Sequence, residues 1–221
     1  MKQYRQITST VDNILITAGA RQAIYLIASA LLQKGDAIAI GNPSFAYTLP
    51  IFHQNHFKLF LLDIDKEGVN PEQVLYLYKK HRIKMIFINP TYQNPTGARV
   101  TLERKKRLYE ICSRYGITVV EDDPSNLNSH MHQHEYTLKS MDDGGNVIYV
   151  SSLSKVIGTG AKVGWITASQ PIIDYLTMIK TTPTKMSTRD NTCAIRRVSN
   201  SIKLSVRNPS TKKRPIEYQI T

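Results

Sequence analysis

Residues 84–97 read Lys84-Met85-Ile86-Phe87-Ile88-Asn89-Pro90-Thr91-Tyr92-Gln93-Asn94-Pro95-Thr96-Gly97. The opening run, 84–88, has no alternation of polar and apolar residues past its first position, the pattern of a strand buried on both faces. It breaks into a loop in which two prolines and a glycine restrict the backbone, so Asn94 is presented rigidly as a hydrogen-bond donor. A strand buried on both sides needs a layer of helices on each, and the flanking sequence supplies them.

Upstream, an apolar strand at 13–17 runs into the Gly19 turn and a helix over 20–33, with Ala23, Ile24, Ile27 and Leu31 on one face and Lys34-Gly35 closing it. Strands follow at 37–41 and 58–63, and Pro71 opens a helix to residue 80. Downstream, Thr101 is placed to cap a helix bearing Leu108, Ile111, Cys112 and Tyr115, which Gly116 stops. Strands at 117–121, 146–150 and 163–168 and a helix over 171–180 complete the pattern. The expectation is an α/β three-layer sandwich around a mostly parallel seven-stranded sheet spanning residues 1–180. Ligands of such sheets lie beyond the carboxyl ends of the strands.

Those ends carry the residues with chemical potential. Thr17-Ala18-Gly19-Ala20-Arg21 puts a glycine turn before a helix start, where free amides and the helix dipole suit a phosphate. Phe45, after the second strand, offers a flat ring, although such a ring more often belongs to a core. Glu121-Asp122-Asp123-Pro124 is an acidic cluster directly after an apolar strand, able to hold a positive charge on a ligand or to be a solvated turn. Ser151-Ser152-Leu153-Ser154-Lys155 follows another strand, and its lysine is a surface residue, a phosphate contact or an amine nucleophile.

Taken in order, the phosphate turn, the aromatic, the Asn94-Pro95-Thr96-Gly97 element, the aspartate after a strand and the Ser152-Leu153-Ser154-Lys155 element resemble the class I/II aminotransferases of the type-I pyridoxal-phosphate (PLP) fold. The resemblance covers about residues 12–180 and implies a PLP-binding large domain that moves amino groups between an amino acid and a 2-oxo acid. It implies that Lys155 forms the Schiff base and shuttles the proton at the substrate α-carbon. It makes Asp122 the partner of the pyridine nitrogen, Asn94 the donor to the ring hydroxyl and Phe45 the stacking ring. Ala20, Arg21 and Ser152 become phosphate contacts. Family members are generally homodimers.

Three departures from the family pattern stand out. Lys162 occupies the position of an arginine that grips the phosphate, keeping the charge and losing the bidentate fork. Ser125 sits where a tyrosine is common. The smaller domain, which usually carries the arginine for the substrate carboxylate, has no counterpart after residue 180, and substrate choice is therefore not legible. The same motif wording occurs in the effector domains of GntR-type regulators of the MocR kind, where a winged helix-turn-helix precedes this fold. An effector domain and an inactive fragment thus stand as alternatives to an enzyme.

Residues 181–221 carry nine Lys+Arg against two Asp+Glu, more than half of the net charge of +12. They lack a sustained apolar period, and the expectation is a basic tail, disordered or aberrant in origin, with no specific nucleic-acid binding by this chain alone. No apolar run is long enough to span a membrane. The N-terminus lacks the apolar core of a signal peptide, which gives a cytoplasmic expectation. Cys112 and Cys193 form no CxxC pair. His130, His132 and His134 alternate within a polar stretch that reads as a loop, so no metal site is expected. The basic run Arg104-Lys105-Lys106-Arg107 reads as a solvated helix face.

Overall fold

The computed structural model describes residues 5–44, 49–54, 56–124, 136–158, 160 and 162–181. The chain divides into units Met1–Lys185 and Met186–Thr221, and every described residue belongs to the first. Phe45, Ser125, the three alternating histidines, Cys193 and nearly all of the expected tail lie outside the described residues.

The strands are β1 (Ile14–Thr17), β2 (Ala37–Asn42), β3 (Lys58–Asp65), β4 (Gly68–Val69), β5 (Met85–Ile88), β6 (Thr118–Asp122), β7 (Val147–Ser152) and β8 (Gly164–Thr167). They form one sheet in the order β1-β8-β7-β6-β5-β2-β3-β4. The pairs β2–β3, β2–β5, β5–β6 and β6–β7 are parallel, whereas β8 runs antiparallel to both β1 and β7. The sheet is mostly parallel, as expected, but it has eight strands and not seven. The additional strand, β4, is two residues long and pairs antiparallel with the end of β3. A pair that short has no period to detect, and only its edge pairing defines it.

The helices are α1 (Ala20–Leu31), α2 (Leu49–Gln54), α3 (Pro71–His81), α4 (Leu102–Tyr115), α5 (Ser154–Ile157) and α6 (Gln170–Thr181). Helix ends follow local chemistry. Asn70 caps α3 through its side-chain oxygen, which accepts from Glu72 N at 3.0 Å, with Pro71 in the first turn. Thr101 accepts from Arg104 N at the start of α4, and Gly116 ends that helix at a φ of 65°, where a Cβ would be strained.

Alternation along the strands builds two cores. Ile38, Ile40, Met85, Phe87, Val120 and Ile148 face α1, α2 and α6. Ala37, Ala39, Ile86, Ile88, Val119 and Val147 face α3 and α4 through Val74, Leu77, Leu108, Ile111 and Cys112. These are the three layers expected from the sequence.

The basic run on α4 is solvated at Lys106 and Arg107, as expected, and departs from that expectation at Lys105. Arg104 pairs with Asp65 at 2.8 Å and Glu67 at 3.1 Å, and Arg107 pairs with Glu72 at 2.8 Å. Lys105 is buried, its ammonium donating to the Tyr136 carbonyl at 3.0 Å. The acidic partners come from the β3–β4 turn and α3, far away in sequence. Among the described residues, no helix is long and apolar enough to cross a membrane.

Candidate functional site

β1 and β7 both run antiparallel to β8, so they are parallel to each other, and the carboxyl ends of β1, β2, β5, β6 and β7 share one edge of the sheet. The register is specific. Gly164 sits between Thr17 and Ser152, Asp122 lies opposite Val150, and Ile88 lies opposite Glu121. The glycine turn, the Asn94 loop, the acidic cluster and Lys155 therefore all emerge on the same side, although they come from four separate chain segments.

At the β1 end, Gly19 takes φ 88° and ψ 169°, open to glycine and costly for other residues. The Thr17 hydroxyl donates to the Gly19 carbonyl at 3.0 Å, and the Gln22 side chain accepts from Ala18 N at 2.6 Å. No side chain caps the helix at Gly19, so the first turn of α1 presents the positive end of its dipole without a capping side chain. Beneath this turn lies Gly164. A Cβ there would fall 2.6 Å from the Gly19 carbonyl carbon and 2.9 Å from Ala20 N. The turn thus rests directly on a strand with no side chain between them.

At the β5 end, Gln93 organises the loop that holds Asn94. Its amide donates to the Pro43 carbonyl after β2 and, at 2.9 Å, to the Asn94 carbonyl. Its oxygen accepts from Thr96 N at 2.9 Å and Thr96 Oγ1 at 2.6 Å. Gln93 is buried and its bonds brace the loop, while Asn94 is exposed.

The β6 end places Glu121, Asp122 and Asp123 in succession, all buried. Glu121 accepts from Leu138 N at 3.1 Å and Lys139 N at 2.9 Å. Asp123 accepts from Arg5 Nε at 2.6 Å and from the Tyr149 hydroxyl at 2.9 Å. Asp122 points to the other face of the sheet, where Asn89 Nδ2 donates to its Oδ2 at 2.8 Å. Its second oxygen, Oδ1, is buried without a hydrogen-bond partner. Burial pushes the Asp122 carboxyl up to about 7, against the pull of the Asn89 bond, and the Asp123 charge adds to the rise. A buried acceptor left open in this way is a site for a donor, and a cationic donor would also restore the charge.

Beyond β7, Ser152 is buried at the strand end, while Lys155 is exposed on α5. Lys162, also exposed, takes φ 35°, an uncommon backbone for a residue other than glycine.

Residues 1–191 match the family model for aminotransferase class I and II. The chain belongs to the class I and II aminotransferase family. Its relatives include YdfD of Bacillus subtilis, an uncharacterized HTH-type transcriptional regulator, 33% identical over 79% of this chain and 36% of that protein. Aromatic-amino-acid aminotransferase 1 of Thermococcus litoralis is 30% identical over 81% of this chain and 44% of that enzyme. Among solved structures, an archaeal alanine:glyoxylate aminotransferase superposes with a TM-score of 0.83 at 31% identity, covering 93% of this chain and 52% of that one. The chain spans about a third to a half of the length of these proteins.

Pyridoxal phosphate is the cofactor of this aminotransferase family, and the residues present fit it. The unpartnered Asp122 oxygen suits a protonated ring nitrogen, and the uncapped start of α1, pressed against Gly164, suits the phosphate. Of the site residues expected from the sequence, Ala20, Arg21, Asn94, Asp122, Ser152, Lys155 and Lys162 lie along this edge. Sequence reasoning missed Asn89, which holds Asp122, as well as Gln93, Gly164 and the Arg5–Asp123–Tyr149 group. Asn89 and Gln93 lie within the motif that drew attention to Asn94, but their partners are set by tertiary packing.

Proposed function

We propose that residues 1–180 are the cofactor-binding large domain of an amino-group transferase, holding PLP at this edge with Lys155 as its covalent anchor. The observation that carries this reading is the unpartnered Asp122 oxygen, buried beside the end of the strand that leads to Lys155. PLP, when bound, supplies a protonated aromatic ring that draws electron density from the substrate α-carbon. Asp122 Oδ1 would accept a hydrogen bond from the protonated ring nitrogen and keep it charged. Asn89 fixes the Asp122 carboxylate so that Oδ1 is the oxygen presented. The start of α1 at Ala20 and Arg21, with Ser152 and Lys162, would hold the phosphate, and Asn94 would donate to the ring oxygen. Lys155 Nζ would anchor the cofactor and would hold or move the proton at the substrate α-carbon. The expected substrates are an amino acid and a 2-oxo acid, with a cytoplasmic homodimer as the working form.

A second reading rests on the regulators among the relatives: the same domain would then sense a ligand and report it to an attached DNA-binding module. The two part on the half-reaction. PLP-loaded chain mixed with a panel of amino acids is expected to release one 2-oxo acid per site. Retained PLP with no 2-oxo acid released would contradict the transferase and favour the sensor.

Lys162 supplies a separate prediction. A guanidinium engages phosphate through a planar fork, which an ammonium lacks. Lys162→Arg is expected to tighten PLP binding by roughly three- to tenfold, measured by equilibrium dialysis. Unchanged affinity would remove Lys162 from the phosphate site.

A further inference from the structure

Glu121, Asp122 and Asp123 bring three buried carboxylates to one strand end, where each needs a partner. Two have both carboxylate oxygens partnered within the protein. Glu121 takes two backbone amides, and Asp123 takes the Arg5 guanidinium and the Tyr149 hydroxyl. Arg5 comes from the N-terminal stretch, 118 residues away in sequence. Its own carbonyl accepts from Thr137 Oγ1 at 3.3 Å, and Ser151 Oγ donates to the Asp123 carbonyl, so both partners are held from two sides. Both side chains of the pair are almost fully buried, at 4% and 1% exposure, where solvent screens little.

We propose that Arg5 is a positioning residue for the cofactor: by cancelling Asp123, it leaves Asp122 as the one carboxylate of the cluster able to carry charge toward the ring nitrogen. This inference rests on the reading of the site as a PLP site and deepens it. The physical argument is the orientation of an ion pair. A charged Asp122 opposite a protonated ring is a dipole with its negative end nearest Asp123. An uncompensated charge on Asp123 opposes that dipole and moves the shared proton from the ring onto Asp122. The Arg5 guanidinium removes the opposition. The other groups bearing on Asp122 are Asn89, from the loop after β5, and Asp123 itself. Glu121 and Tyr149 lie on the far face with Arg5, and Lys105 of α4 acts on Glu121.

The first arm of the test needs no cofactor. In the 221-residue chain carrying ¹³C-carboxyl aspartate, with the resonance assigned by Asp122→Asn, the Asp122 titration is followed by NMR. Arg5→Gln is expected to raise the midpoint by about one unit or more, Asp123→Asn to lower it, and the double variant to bring it back toward the wild-type value. The double variant removes both buried charges together and keeps the test usable if Arg5→Gln alone fails to fold, because Asp123→Asn and the double variant must still differ. The second arm uses ¹⁵N-labelled PLP. The ring-nitrogen resonance is expected in the protonated range for wild type, Arg5→Lys and the double variant, and displaced toward the unprotonated range for Arg5→Gln. An Asp122 midpoint indifferent to all three changes, in folded protein, would overturn the role of Arg5. A responsive midpoint with no bound PLP would instead overturn the reading of the site, and the two failures are thereby told apart.

Discussion

Asp122→Asn is expected to stabilise the cofactor-free chain at pH 8 and to cripple its hold on PLP. The folded-state carboxyl is raised to about 7 from an ordinary value of 3.8, burial being the main cause. A raised acid favours the fold while it keeps its proton. That contribution is fully present below about pH 4 and is lost as pH rises through about 7. At pH 8 the wild-type chain carries a buried, half-partnered carboxylate. Removing the charge returns up to about 4 kcal/mol, from roughly three units at about 1.4 kcal/mol each. For a domain of this size the melting temperature should rise by roughly 2–4 °C per kcal/mol, with little change at pH 4. Cofactor binding moves the opposite way, because a neutral amide cannot hold the ring nitrogen in its charged form. A loss of about 2–5 kcal/mol in affinity, roughly 30-fold or more, is the expected scale for truncating one partner of a buried charged pair. Thermal melts at the two pH values, with and without PLP, measure both effects. A variant less stable than wild type at pH 8, or one that binds PLP equally well, would contradict this assignment of Asp122.

Gly164→Ala carries the second large effect. The new methyl would lie 2.6 Å from the Gly19 carbonyl carbon and 2.9 Å from Ala20 N, and both obstacles are backbone. No flexible side chain can yield, so the glycine turn must lift from β8. Overpacking of this kind costs about 1–3 kcal/mol in stability. Its effect on function should be larger, since a displacement near 1 Å in a site of aligned donors costs about 100-fold. The loss should fall on the phosphate. Affinity for PLP should therefore drop far more than affinity for pyridoxal, which lacks the phosphate group. Equal losses for both compounds would place the phosphate elsewhere.

Much of this was legible in the chain because the strands that build the edge are local and strongly patterned. The run 84–88 has apolar side chains on both faces, and β5 is buried along its whole length. Thr101, Pro71 and Gly116 mark helix ends through bonds made within a few residues. The motif residues fall at strand ends because a parallel sheet collects those ends on one side. What escaped notice depends on contacts between distant segments. Strand β4 exists only through its pairing with β3. The pairs of Arg104 with Asp65 and of Arg107 with Glu72 join α4 to acidic residues 35 or more positions away. Arg5 sits in a stretch with no periodicity, and nothing nearby marks its partner as Asp123. Gly164 reads as an ordinary strand residue until the Gly19 turn is seen resting on it.

The most direct test of the account is a PLP titration of the purified 221-residue chain followed by visible absorbance, beside Lys155→Ala. Lys155 is exposed on a short helix after β7, so its replacement should leave the fold intact. The account predicts a saturable violet-region band in the wild-type chain that borohydride abolishes, with the cofactor then fixed to the Lys155 peptide by mass spectrometry. It predicts no such band in Lys155→Ala. An identical band in both proteins, or none in a folded wild-type chain, would contradict the central claim that this sheet edge is a PLP site anchored at Lys155.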